Sequence, residues 1–177
     1  FYEEFLEQYD NDIRRKLGVY YTPKPIVSFI VRSIHELIKS EFQLEDGLAD
    51  TSTWMEVVKK NPNVKKPPHA KVDDPFIQIL DPAVGTGTFL VEVIDIIFQT
   101  MRNKWKNQGL SKESIKQNWN DYVNNHLINR IYGFELMMAP FSICHVKVGL
   151  KLKETGFDIK SIKNRLNIFL TNSLDEP

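Results

Sequence analysis

The sequence predicts an α/β fold built on a parallel sheet, and three observations carry that reading. The apolar run Phe76-Ile77-Gln78-Ile79-Leu80 leads into Asp81-Pro82-Ala83-Val84-Gly85-Thr86-Gly87-Thr88-Phe89, a short strand, a glycine turn and the start of a helix. Apolar runs then alternate with amphipathic stretches down to the C-terminal end, as right-handed β-α-β crossovers require. Each predicted strand also ends in a polar residue: Asp81, Glu135 and, just past the third, Asn172. In an open parallel sheet such tips lie on one edge, where ligands bind.

The elements follow in order. Phe1, Phe5, Tyr9, Ile13 and Leu17 recur every four residues and predict a helix stopped by Gly18. Val19 to Pro25 reads as extended or turning, with Tyr20 fitting either core or lid. Thr22 is expected to cap a second helix with Pro23 at its first position. Ile26, Ile30, Ile34, Leu37 and Ile38 mark the expected buried stripe of that helix, which runs to about 41. Residues 43–75 are polar and hold Pro62, Pro67, Pro68 and Pro75; they read as a surface excursion with one short helix near 52–60, capped by Thr51 or Ser52. Its lysines (Lys59, Lys60, Lys65, Lys66) read as solvated rather than as phosphate contacts. Strands are predicted at about 76–80, 130–135 and 166–170, with helices at 88–108, 111–127 (Ile115, Trp119, Tyr122, Val123, His126) and 138–153. The organisation is thus an N-terminal helical segment 1–42, a polar insert 43–75 and an α/β portion 76–177, together one structural domain.

Composition sets limits. The 177 residues carry 23 Lys+Arg against 23 Asp+Glu, so the chain lacks the basic footprint of a self-sufficient nucleic-acid binder. The single cysteine, Cys144, excludes an internal disulfide and fits a cytoplasmic location. No apolar stretch nears the ~20 residues of a membrane span, and none reads as a signal peptide. His35, His69, His126 and His145 show no metal-ligand spacing with Cys144 or with one another, so no metal site is expected. The first residue is Phe1 rather than Met, which suggests a piece of a longer polypeptide.

The glycine spacing narrows the ligand. A dinucleotide site uses G-x-G-x-x-G, with a pyrophosphate resting on the helix N-terminus. Here position 90 is Leu, and Asp81, four residues before Gly85, would repel a pyrophosphate but suit an ammonium group. Glu135 can accept both hydroxyls of a ribose, Leu136 can pack on an adenine ring, and Asn172 can read the adenine edge. Glu135 lies 48 residues after Gly87, farther than in a dinucleotide fingerprint, and the extra helix at 111–127 accounts for the surplus. An adenosine joined to an amino acid, S-adenosylmethionine, is the ligand these features suggest. Each residue has a plainer reading beside this one: Thr22 as a helix cap, Asp81 as a turn former, Glu135 as an exposed strand-end charge, Asn172 as a loop residue. Met137 and Met138 are expected in the core.

At this point the chain resembles the adenine-specific DNA methyltransferases that modify the exocyclic amino group, in the gamma order of motifs. Asp-Pro-Ala-Val-Gly-Thr-Gly-Thr-Phe resembles their cofactor loop, Lys-Leu-Gly-Val-Tyr-Tyr-Thr-Pro-Lys-Pro-Ile-Val the motif that precedes it, Phe134-Glu135-Leu136 the second-strand motif and Thr171-Asn172-Ser173-Leu174 the third. The opening Phe1-Tyr2-Glu3-Glu4-Phe5-Leu6 is most similar to methylase modules of large bacterial restriction-modification polypeptides. The resemblance implies a Rossmann-like S-adenosylmethionine-dependent methyltransferase fold, cut to about half its parallel sheet. It implies that Tyr21, Thr22 and Pro23 close over the methionine end, with Asp81 near its amino group. Pro82, Ala83, Val84, Gly85, Thr86 and Gly87 would form the loop, with Phe89 packed beneath. Glu135, Leu136, Asn172 and Ser173 would hold the adenosine.

The family's catalytic Asn/Asp/Ser-Pro-Pro-aromatic tetrapeptide, which must grip a base flipped out of the stack, has no counterpart. Asn61-Pro62-Asn63-Val64 lacks the second proline and the ring, and Lys66-Pro67-Pro68-His69 lacks the amide. No catalytic residue is therefore assigned in this chain. The expected piece binds the methyl donor, reaches DNA through the remainder of its parent polypeptide, and does not methylate by itself. Its open sheet edge should pair with that remainder or self-associate. Two other classes compete with this reading: a nicotinamide-dependent oxidoreductase, disfavoured by Leu90 and the Thr22 segment, and a non-catalytic interaction module of Rossmann-like fold.

Overall fold

The computed structural model describes residues 22–173. The predicted first helix, the Gly18 stop, Tyr20, Tyr21 and Leu174 lie outside the described residues.

Helix α1 (Lys24–Phe42) is followed by a 3-10 turn (Gly47–Ala49) and the short α2 (Trp54–Lys60). Strand β1 (Ile79–Asp81) leads through the glycine turn into α3 (Thr88–Asn107). Helix α4 (Lys112–Tyr122) continues through a π-turn (Val123–Leu127) and the single-turn α5 (Ile128–Arg130) into β2 (Ile131–Glu135). Helix α6 (Met138–Glu154), a 3-10 turn (Ile159–Ser161) and β3 (Asn167–Leu170) complete the order. The strands form one parallel sheet in the order β1-β2-β3, with Asp81 opposite Gly133 and Glu135 opposite Leu170. The predicted α/β class and parallel sheet are therefore observed.

Helix α3 is the axis of the core. It packs between α1 and α6 and buries Leu90, Val93, Ile94, Ile97, Met101 and Trp105. Each such side chain contributes about 1.5–3 kcal/mol of burial. Helix α4 adds an aromatic layer in which Trp119 stacks on Tyr122 at 5.6 Å and meets Phe98 edge-on at 4.9 Å. The long β1-to-β2 connection is filled by α3 and α4, the surplus helix read from the spacing of Gly87 and Glu135.

Several expectations change. Strand β1 starts at Ile79 rather than Phe76, because Phe76 and Ile77 pack against the core before the ladder begins. Arg130 ends a helix instead of opening a strand. Thr22 does not cap α1. Pro23 takes the cap position with extended backbone, and its carbonyl accepts the Ile26 and Val27 amides, so Thr22 falls one residue short.

The stripe of α1 is also displaced. Val27, Val31, His35 and Ile38 face the core, while Ile26, Ile30, Ile34 and Leu37 stay exposed. The period was legible but not the face, because both faces of this helix are apolar. Thr53, not Thr51 or Ser52, caps α2, in a reciprocal capping box with Glu56. Residues 43–75 are not purely a surface excursion, since Leu44, Leu48, Ala49 and Val57 are buried. Met138 is exposed rather than in the core, and His126 lies at the surface with its ring against Tyr122.

Candidate functional site

The parallel register places Asp81 and Glu135 at neighbouring strand tips, and the turn after β1 folds across β2. The Val84 amide donates to the Phe134 carbonyl at 2.9 Å. The Val84 side chain lies over Gly133, where a Cβ would come within 3.1 Å of it, so any larger residue there would crowd the loop. The Gly85 amide donates to Glu135 Oε2 and the Met137 amide to Glu135 Oε1, each at 2.9 Å. Glu135 is thus buried and bridges the loop to the start of α6, unlike an exposed strand-end charge. A carboxylate has about four acceptor positions, so two amides leave capacity for ligand hydroxyls.

Asp81 is the less satisfied acid. Its Oδ1 accepts the Ala83 amide at 3.2 Å, while Oδ2 is buried without a hydrogen-bond partner among the described residues. Burial, with the nearby Glu135 carboxylate adding to it and the Ala83 amide opposing, raises the Asp81 pKa above the usual carboxylate value. An orphaned buried acceptor costs free energy until a donor reaches it.

The floor of the loop comes from α6. Gly87 has φ +83°, and a Cβ there would sit 2.7 Å from Cys144 Sγ. Cys144 is fully buried, and burial pushes its thiol pKa up to about 12, which suits packing rather than nucleophilic chemistry. One turn on, Lys147 Nζ donates to Thr86 Oγ1 at 3.2 Å and Thr88 Oγ1 at 3.3 Å. Neither Cys144 nor Lys147 was singled out as a site residue from the sequence. Their only linear signal is the i, i+3 spacing that puts them on one face of α6.

The remaining predicted residues surround this centre. Pro82 and Ala83 are exposed on the loop and Phe89 is half-buried beside it. Leu136 is 62% exposed, a free apolar surface next to Glu135. The Thr171 amide donates to the Glu135 carbonyl at 2.8 Å, extending the β3 pairing and leading Asn172 and the exposed Ser173 past the β2 tip. Lys24, which follows Thr22 and Pro23, shares a cleft of about 270 Å³ with Val27, Thr88, Val91, Glu92 and Lys147. The starts of α1 and α3 therefore converge. The structure thus gathers Asp81, the 82–89 loop, Glu135 and Leu136 into one locus, with Asn172 and Ser173 at one rim. Thr22 and Pro23 reach only the rim of the α1–α3 cleft.

A larger groove of about 560 Å³ runs from Asp81, Pro82 and Phe89 along the outer edge of β1, walled by the apolar face of α1. Among the described residues no group of His, Cys, Asp and Glu could hold a metal ion. His35 is structural, its Nδ1 accepting the Leu48 amide at 3.2 Å. No described helix is long and apolar enough to cross a membrane.

Comparison with known proteins adds to this geometry. No family model matches the chain. A Methanocaldococcus jannaschii protein named "Putative type II restriction enzyme and methyltransferase RM.MjaORFECS2P" is 26% identical over 188 aligned positions, covering 97% of this chain. Among solved structures, a chain of the DrdV–DNA complex, determined by cryo-electron microscopy, is 25% identical with a TM-score of 0.56 over 98% of this chain. The DNA-bound ATP-dependent Type ISP restriction-modification enzyme LlaBIII shares the fold, with 20% identity and a TM-score of 0.53 over 88% of this chain. The chain spans 15% of the length of the first protein, and 12% and 8% of the two solved chains. Two of these three names contain restriction terms, and one of those two also names a methyltransferase.

Proposed function

We propose that this chain is the S-adenosylmethionine-binding part of an adenine-specific DNA methyltransferase in a restriction-modification system, with a Rossmann-like methyltransferase fold. The observation that carries the reading is the orphaned Oδ2 of Asp81 beside a glycine loop whose other acid, Glu135, is held by two amides. The site fits the methyl donor. Asp81 would take its ammonium group, Glu135 its ribose hydroxyls, Leu136 a face of its adenine, and Asn172 and Ser173 the adenine edge. Tyr21, Thr22 and Pro23 would close over its methionine end. The bound donor would supply an electrophilic methyl group; the chain's own residues bind, orient and enclose it.

A dinucleotide fits less well, because a pyrophosphate would face the Asp81 carboxylate, whose Oδ2 has no hydrogen-bond partner among the described residues. Adenine specificity rests on the motif resemblance, and DNA as substrate on the relatives' names. The balanced charge of this chain supports a DNA contact made by other parts of the protein. The groove beside β1 supports a further reading: the remainder of the polypeptide covers that edge, as the much greater length of the relatives suggests. The function is tested by incubating the full parent polypeptide, with these 177 residues alone as the inactive control, with DNA and S-adenosylmethionine and quantifying methylated bases by mass spectrometry. Methylation of the adenine exocyclic amine is expected, and methylation of cytosine alone would overturn the assignment.

A further inference from the structure

We propose that Lys147 is a positioning residue that tethers the glycine loop for its ligand, an inference that rests on the reading of the loop as the methyl-donor site. Its ammonium group bridges Thr86 and Thr88, the two residues flanking Gly87. Gly87 is the pivot at which the turn becomes α3, and no side chain caps that helix start. The two threonine contacts therefore fix the loop on both sides of its left-handed residue.

Neighbouring groups explain why this lysine serves the loop. Lys151, one turn on, pairs with Asp95 at 2.5 Å and Glu154 at 3.6 Å. Glu92, across the same cleft, accepts the Ser28 hydroxyl at 2.5 Å. Among the described residues Lys147 forms no ion pair, so its charge is directed at the threonines. Cys144 on the same helix face packs under Gly87 and brings α6 close enough for the lysine to reach. Lys147 touches the loop, and its proposed role runs through Thr86 and Thr88.

Lys147→Met keeps the aliphatic stem and removes the donors, while Lys147→Arg keeps a charged donor. Titration calorimetry with S-adenosylmethionine should show binding about tenfold weaker for Lys147→Met, the size of one charge-assisted contact. Lys147→Arg should recover most of that loss. Thr86→Val/Thr88→Val should weaken binding similarly, and adding Lys147→Met should cost little more, because the three side chains act as one unit. Amide exchange at 86–88 in the ligand-free protein should accelerate in Lys147→Met, while its melting temperature stays close to wild type. Unchanged loop exchange, unchanged affinity, or a fall in melting temperature that accounts for the affinity loss would overturn the proposal. If the wild type binds no S-adenosylmethionine, the reading of the site fails, and loop exchange alone then decides whether the tether exists.

Discussion

Asp81, in its proposed role as the contact to the donor's ammonium group, sets stability against binding. Burial raises its pKa, so the folded, ligand-free protein holds the carboxyl proton more tightly than the unfolded chain does. The stability linked to that proton is fully present below the ordinary carboxylate pKa and is lost as pH rises through the raised value. Near neutral pH the ionised, half-satisfied carboxylate destabilises the fold. Asp81→Asn should therefore raise the melting temperature of the ligand-free protein near neutral pH, with the gain shrinking in acidic buffer. The same substitution should weaken methyl-donor binding. Parallel melting curves and titrations check both halves. Gly87 gives a second residue-scale prediction. Gly87→Ala strains a left-handed residue and drives a Cβ toward Cys144 Sγ, costing at least about 2 kcal/mol in denaturant unfolding. Cys144→Ala should relieve part of that cost. Asp81, Gly85, Gly87 and Glu135 were legible in the sequence because strand tips and glycine turns are local signals. Cys144 and Lys147 were not, because their roles arise only where α6 crosses beneath the loop.

Among elements, α1 and the junction before β2 show how tertiary packing decides what periodicity leaves open. Helix α1 carries two apolar faces, and packing against α3 selected the one with Val27 and Val31. The Ile30 and Ile34 face walls the groove beside β1 instead. At the junction, the fully buried Arg130 donates to the Asp50 carbonyl and the Tyr122 hydroxyl, while its Nε has no partner among the described residues. Tyr122 in turn donates to the Ala49 carbonyl at 2.7 Å, and burial lifts its pKa to about 12. This network joins residues 49–50 to the end of the β1-to-β2 crossover, a link invisible in a segment that read as a polar excursion. Arg130→Ala should destabilise the fold by about 3 kcal/mol, from the cavity and the lost bonds together, as measured by denaturant unfolding.

At the scale of the whole molecule, alternating apolar and amphipathic runs were enough to read the parallel sheet and its crossovers. The sheet's outer surroundings were less legible, since one-dimensional pattern does not show which apolar face lacks a neighbour. Phe29, 71% exposed, and the exposed Leu37 and Leu80 lie on α1 and β1, away from the packed face of α3. An unpaired strand edge beside such a surface invites association. The 177-residue chain alone should therefore self-associate in sedimentation velocity, and Phe29→Lys with Leu37→Lys should reduce it. A clean monomer would count against the proposed cover for this edge.

The central claim is that the Asp81–Glu135 locus holds S-adenosylmethionine. Titration calorimetry of the protein with S-adenosylmethionine and with NAD, repeated on Glu135→Ala, tests it most directly. One equivalent of S-adenosylmethionine should bind, in preference to NAD, and the substitution should weaken that binding by about tenfold or more. Tighter binding of NAD, or S-adenosylmethionine binding indifferent to Glu135→Ala, would contradict it.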